Sequence, residues 1–443
     1  MKIINRLLRK YNDNNNILVI SGYPKRGEKY SQGVCAVSSF TKNSLLALAK
    51  NNPDRKIVVL TVSLNDKEDI YEENNMLIVR CFRRNQPLSY CSLLKKIVLF
   101  KNVRNVLVEF EFSSFGNLPM TALLIPLLFA IRLLNKKVFL VMHQVLLDLK
   151  KINGHIGMSS KSLYLSVLNF GLNWFYKTIA FPTEKVVVLE KEFKMRLQKL
   201  VNPKKIVVIP HGVDKNLEFA DRYKSRKALG FNKNDFVVLY FGFLTWYKGV
   251  DFLIKAFKHT ANLKGKNIKI LIAGGPSFTQ GDKAHYQAFL KRVEKAAKSS
   301  AHMQITGFVQ EKNISRIFTA SDLVALPYRT YMSSSGPFSL TLSHGKPFIL
   351  SEKLKNLTKT EDFKNVLSLT GISQKDFIFN FSEKSLRDMV VKSIEKNQRE
   401  KLSKLSYLLS EKRSFDNLAL NYETLLSTDL NFGINPTMLS LAR

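Results

Sequence analysis

With 443 residues, 45% of them hydrophobic and 11% aromatic, the chain has the length and composition for two globular domains, which excludes a disordered polymer and a small disulfide scaffold. Its 69 basic against 35 acidic residues give a formal charge of +34, so anionic partners are expected: nucleotide phosphates, nucleic acid or acidic lipid headgroups. The three cysteines, Cys35, Cys81 and Cys91, show no metal-ligand spacing and cannot all pair, and residues 1–16 lack the apolar core of a secretion signal, so a cytoplasmic setting is expected.

Short apolar, β-branched runs alternate with helical stretches along the chain. Strands are predicted at 17–21, 56–62, 76–82, 105–112, 137–143, 185–189 and 205–210, with helices at 37–50, 119–134, 160–176 and 191–200 between several of them. Continuous apolar strands separated by helices indicate a parallel sheet covered on both faces. The oily run 118–134 holds Pro119, Pro126 and Arg132 and is short for a membrane span, so a buried helix is predicted there. The strand–helix pattern restarts after Gly212, with strands at 236–243, 268–274, 303–307, 322–327, 347–351 and 377–381 and helices at 249–263, 283–299, 311–319, 337–344 and 383–396. The polar, turn-rich stretch 210–223 separates a first domain over 1–210 from a second over 211–413. A last helical stretch, 414–427, carries Phe415, Leu418, Leu420, Tyr422, Leu425 and Leu426, more apolar side chains than a solvated tail needs. The fold class read from this pattern is α/β, with two doubly wound sheets. Ligands of such sheets bind outside the strand carboxyl ends, so the cleft between the domains is the expected site.

Several stretches at those ends suit chemistry. The first strand runs into Ser21-Gly22-Tyr23-Pro24-Lys25-Arg26-Gly27, with Gly33 further on. Glycines and basic residues there suit a phosphate or a sugar, but the spacing is not the dinucleotide fingerprint, so NAD is not expected. Glu109 and Glu111 alternate along a strand and share one face, as metal ligands or as a solvated edge. Residues 159–205 mix Leu163, Phe170, Trp174 and other apolar side chains with many lysines, which suits a surface lying on acidic lipid and equally a helix facing its own sheet. Lys248 follows a strand and precedes a helix start, where a cation opposes the helix dipole unless an anion lies between; a solvated loop lysine is the alternative. After the apolar run 323–327, the loop Tyr328-Arg329-Thr330-Tyr331-Met332-Ser333-Ser334-Ser335-Gly336 leads to Pro337, which suits the first helical position, with Ser335 or Gly336 as cap. Such a helix start is an anion site, or simply a well-capped helix.

Five runs taken in order, Ile209–Asp214, Gly242–Gly249, Ile272–Pro276, Ile305–Val309 and Ala320–Pro327, resemble motifs of the retaining glycosyltransferases of family 4, which have the GT-B fold. The second half carries most of the likeness. The first half is similar in strand pattern, in the glycine loop after its first strand and in a strand ending Val141-Met142-His143-Gln144. The helix with Phe415 and Tyr422 resembles the one that crosses back to the first domain, so residues 414–443 are expected to pack there.

The resemblance implies a GT-B fold whose second domain binds a nucleoside-diphosphate sugar and whose first binds a hydroxyl acceptor, glycan or lipid-linked. It implies a hexosyltransferase acting with retention, without metal or other cofactor, because Lys248 and a helix dipole take the metal's electrostatic role. Lys248, Ser334, Ser335, Gly336, Gly22 and Gly27 would hold the donor diphosphate; Gly242, Gly274, Phe308, Val309 and Arg329 would meet base or sugar. His143 would hydrogen-bond the sugar or help deprotonate the acceptor, unless it only caps a strand end. Three positions depart from the family pattern: Phe243 stands where an arginine is usual, and Met332 and Leu340 where paired glutamates are. Ser335-Gly336 followed by His344-Gly345-Lys346-Pro347-Phe348-Ile349 is similar to a subgroup lacking the first glutamate, and Arg329 or Arg26 would then supply the missing charge. These departures leave two expectations: a transferase of polysaccharide or glycolipid synthesis in peripheral contact with the cytoplasmic face of an anionic membrane, or a non-catalytic relative that binds sugar or nucleotide or serves as a partner subunit. No nucleic-acid recognition module is visible, and nucleic acid is not an expected partner.

Overall fold

The computed structural model describes residues 2–31, 37–64, 68–277 and 279–427; Gly33, Cys35 and residues 428–443 lie outside them. Eight strands form the first sheet: β1 (Ile17–Ile20), β2 (Ile57–Val62), β3 (Asp69–Glu73), β4 (Met76–Phe82), β5 (Asn105–Phe110), β6 (Lys137–Met142), β7 (Lys185–Val188) and β8 (Ile206–Val208). Their order is β3-β4-β2-β1-β5-β6-β7-β8, parallel throughout except for the β3–β4 pair. β3 was not legible in the sequence. It pairs with β4 in a hairpin turned at Asn74 and Asn75, both with positive φ, and its polar, partly exposed residues lack a continuous apolar signature.

Strands buried on both faces need a nearly continuous apolar run: β1 is apolar throughout, β2 is interrupted only at Thr61, and β5 only at Asn105 and Glu109. One face, including Val19, Val59, Leu107 and Val141, packs against Phe40, Leu45 and Leu48 of the helix Val37–Asn51 and against Leu418, Tyr422, Leu425 and Leu426 of the helix Phe415–Ser427. The C-terminal helix thus lies on the first sheet's covering layer. The opposite face, including Leu18, Leu60, Val108 and Leu140, is covered by Leu93, Ile97, Leu128, Ile131, Tyr176 and Ile179. The run 118–134 forms two helices, Leu118–Ala122 and Leu124–Leu133, and only one side is buried: Leu118 and Leu133 are exposed, unlike the single buried helix expected.

The second sheet holds β9 (Phe236–Phe241), β10 (Asn262–Leu263), β11 (Lys266–Ala273), β12 (Met303–Gly307), β13 (Leu323–Leu326), β14 (Phe348–Ser351) and β15 (Ile378–Phe379). The path is β10-β11-β9-β13-β14-β15, with β12 on β11. The two places where the chain passes between the sheets lie side by side: Val213 N donates to Arg413 O and Phe415 N donates to Val213 O, at 2.7 and 3.2 Å. Beside this double crossing, the buried Arg413 guanidinium binds Glu190 of the first domain at 3.1 Å and Asp362 of the second. No helix among the described residues is long and apolar enough to cross a membrane.

Candidate active site

The carboxyl ends of β5, β9, β11, β12 and β13 open into one cleft between the sheets. β9 is followed by Gly242, whose φ is +119°. A Cβ there would lie 2.9 Å from Lys248 Nζ and 2.9 Å from Pro337 Cγ, so a side chain would wedge apart the lysine and the first turn of the helix Gly336–Ser343. Glycine lets the two meet. Lys248 sits on the short turn Trp246–Lys248, buried, with Nζ 5.9 Å from the ring centres of both Phe243 and Tyr247. No salt bridge involves it among the described residues. Burial pushes its ammonium down to about 8, while the Glu111 carboxylate pulls the other way. An ammonium kept from water without an ion-pair partner is costly, and a helix start beside it adds positive potential. An anion between the two would relieve both.

The serine loop is built to hold that helix start in place. Ser335 caps it, its Oγ accepting from Phe338 N at 3.2 Å, and Pro337 occupies the first turn. The Tyr328 hydroxyl lies 2.8 Å from Ser335 Oγ. The loop is also tied to the first domain: Ser334 N donates to His143 O at 3.0 Å, Gln144 and Ser333 form an antiparallel bridge, and Arg196 donates to both Val145 O and Tyr331 O at 2.8 Å.

Of the residues expected from sequence, Lys248, Ser334, Ser335, Gly336, Gly242, Gly274, Phe308 and Val309 line the cleft together. Gly22, Gly27, Arg329 and His143 are not among its lining. Gly27 lies on an exposed turn whose N–H donates to Glu73, and nearby Arg26 stacks on Tyr71 instead of facing the cleft. Arg329 makes a two-pronged pair with Asp251 at 2.6 and 2.8 Å and donates to Trp246 O, so its charge is already engaged away from the cleft. His143 is buried with Nε2 2.7 Å from Glu109, its ring packed against Phe40; its backbone carbonyl, not its imidazole, reaches the serine loop. Glu109 is therefore buried and does not lie on a solvated edge; no cluster of three His, Cys, Asp or Glu able to hold a metal occurs among the described residues. Phe243, Met332 and Leu340, the three departures, all face the cleft.

The sequence reading missed much of the opposite wall. Tyr30, Phe40, Asn43, Glu111, His155 and His211 line it. His211 belongs to the run Ile209–Asp214, whose pattern does not set it apart; burial pushes it down to about 3, and Nδ1 meets Gly212 O at 2.8 Å. His155 is pushed by burial to about 4 and accepts from Gln280 at 2.9 Å. Both imidazoles are neutral near pH 7. Lys29 and Tyr30 reach across the cleft: their backbone N–H groups both donate to Glu311 Oε2 at 3.1 Å, and Lys29 Nζ pairs with Asp214 at 3.2 Å. No local pattern announces such cross-domain contacts.

Two parallel-sheet α/β domains facing across a cleft define the GT-B fold. Residues 221–352 match the sequence model of the family Glycosyl transferases group 1. A curated relative, the lipopolysaccharide 1,2-N-acetylglucosaminetransferase of Salmonella typhimurium, is 24% identical over 247 residues, 54% of this chain and 61% of that protein. The alignments cover between 35% and 61% of the curated relatives' own lengths. Among solved structures, the sucrose-phosphate synthase of Thermosynechococcus elongatus superposes with a TM-score of 0.68 at 15% identity, covering 93% of this chain and 98% of that one. Anabaena HepE, solved in complex with UDP, superposes with a TM-score of 0.61 at 14% identity, covering 93% of this chain and 100% of the other. These likenesses establish the fold, and the segment similar to the group 1 model, 221–352, spans β9 to β14 of the second sheet.

Proposed function

We propose that the cleft moves a hexose from a nucleoside-diphosphate sugar to a hydroxyl acceptor, glycan or lipid-linked, with retention of anomeric configuration. The observation that carries this reading is Lys248: a buried ammonium beside a helix start, in a cleft between two doubly wound domains, with no ion-pair partner among the described residues. The donor's diphosphate supplies the missing charge. As the bond from the sugar C1 to the diphosphate oxygen breaks, negative charge gathers on the leaving phosphate, where Lys248 and the helix dipole stabilise it. The new bond joins C1 to the acceptor oxygen on the same face, and the acceptor proton leaves with the diphosphate. No metal is required for that electrostatic role. Phe308 and Val309, on the second domain's wall, receive the base, and the acceptor enters along the first domain's wall. His143 acts here as a positioning residue through its carbonyl on Ser334. Support comes from the family match over 221–352 and from the UDP held by the structurally similar HepE.

A second reading, a relative that binds nucleotide or sugar without turnover, is favoured by Phe243, Met332 and Leu340, which present apolar surface to the cleft. Nucleoside-diphosphate release from a panel of UDP-, GDP- and ADP-sugars, with and without lipid extract, separates the two. Release from one donor that Lys248→Ala abolishes supports the transferase. Nucleotide binding with no release from any donor supports the second reading.

A further inference from the structure

We propose that the helix Leu163–Ala180 docks the protein on an anionic lipid bilayer through an apolar stripe that the fold leaves uncovered. At about 100° per residue, Leu163, Val167, Phe170, Trp174, Lys177 and Phe181 fall on one side of the helix and its C-terminal extension. The five apolar members are 59–85% exposed, whereas on the other side Leu165 is buried and Phe175, Tyr176, Ile179 and Ala180 are buried in the core that covers the first sheet. The stripe is therefore not the helix's packing face. Phe181 stacks on Phe129, with ring centres 6.0 Å apart, and so continues the stripe onto the helix Leu124–Leu133, whose Leu133 is also exposed. Contiguous exposed apolar side chains rimmed by polar ones mark an interaction surface on a folded protein.

Charge selects the occupant. Lys177 lies within the stripe and Lys161 two residues before the helix starts; at the other end Arg132 and Lys205 lie around Phe129 and Phe181, Lys205 Nζ donating to Phe181 O at 3.0 Å, and the acid among them, Glu184, lies 4.0 Å from Arg132. A second copy of a chain carrying +34 would bring like charges together, whereas acidic headgroups would neutralise them. Aromatic side chains between apolar and basic ones suit the headgroup boundary of a bilayer. The patch also communicates with the cleft: Leu149 N donates to Asn169 of this helix at 2.8 Å, and the same short segment leads into His155, which lines the cleft. The inference does not depend on the sugar-transfer reading, because binding to lipid is measured without turnover.

The test is co-sedimentation of the full chain with vesicles of phosphatidylcholine alone and with about one third phosphatidylglycerol, at low and moderate salt, together with tryptophan emission. The chain has two tryptophans, Trp174 and Trp246, so a Trp246→Phe variant reports on the stripe alone. Expected are binding to the anionic vesicles, a blue shift of Trp174 emission, and a loss of about tenfold or more in partitioning for Phe170→Ser/Trp174→Ser. Both side chains are exposed, so an unchanged melting temperature shows that the double variant folds. No binding of the wild type to anionic vesicles, binding undiminished in the double variant, or a lipid-free dimer that the double variant abolishes would each overturn the proposal.

Discussion

Replacing Lys248 by methionine separates its cost to the fold from its use in the site. Burial holds the folded-state ammonium near 8 against an ordinary 10.5, so at pH 7 keeping it charged in place costs at most about 3 kcal/mol. Methionine has similar reach and no charge; after imperfect repacking, a net gain of about 1–2 kcal/mol is expected. That corresponds to roughly 2–4 °C in Tm per kcal/mol for a domain of this size. The pH dependence fixes the cause. Between about 8 and 10.5 the unfolded chain holds a proton that the folded one lacks, so the wild type gains stability as pH rises through that window. The advantage of Lys248→Met should be full below pH 8 and fade towards 10.5. Nucleoside-diphosphate release should meanwhile fall by about 10²–10³. Differential scanning calorimetry across pH 6.5–10.5 and a release assay at pH 7 read both arms. A variant less stable than the wild type at pH 7, or one that keeps full release, would refute the reasoning.

Gly249→Ala should destabilise by about 2–4 kcal/mol, because φ is +74° and the new Cβ would stand 1.9 Å from Pro327 O; urea denaturation reads this. Arg413→Met leaves Glu190 buried without its guanidinium and should cost about 3–5 kcal/mol at pH 8. Burial already raises Glu190 to about 7, so the loss should shrink as pH falls towards 5 and the carboxyl takes up a proton, as thermal melts at the two pH values would show. Ser335→Ala removes the helix cap and the partner of the Tyr328 hydroxyl, with an expected loss of about 1 kcal/mol in stability and weaker nucleoside-diphosphate binding by calorimetry.

The sequence by itself determined the two strand–helix sets, because strands buried on both faces need a nearly continuous apolar run, as in β1 and β9. It also marked the start of the helix Gly336–Ser343, since proline and a capping serine act locally. It did not distinguish Lys248 from Arg329, two cations after strand ends: Asp251 neutralises one, and the other lies buried without an ion-pair partner among the described residues. Nor did it place His143 behind Phe40 and His211 on the cleft wall, or turn one side of the helix Leu163–Ala180 outward. Local geometry follows from neighbours along the chain; burial and charge pairing follow from neighbours in space, which segments as distant as Glu190 and Arg413 supply only once the two domains have packed together.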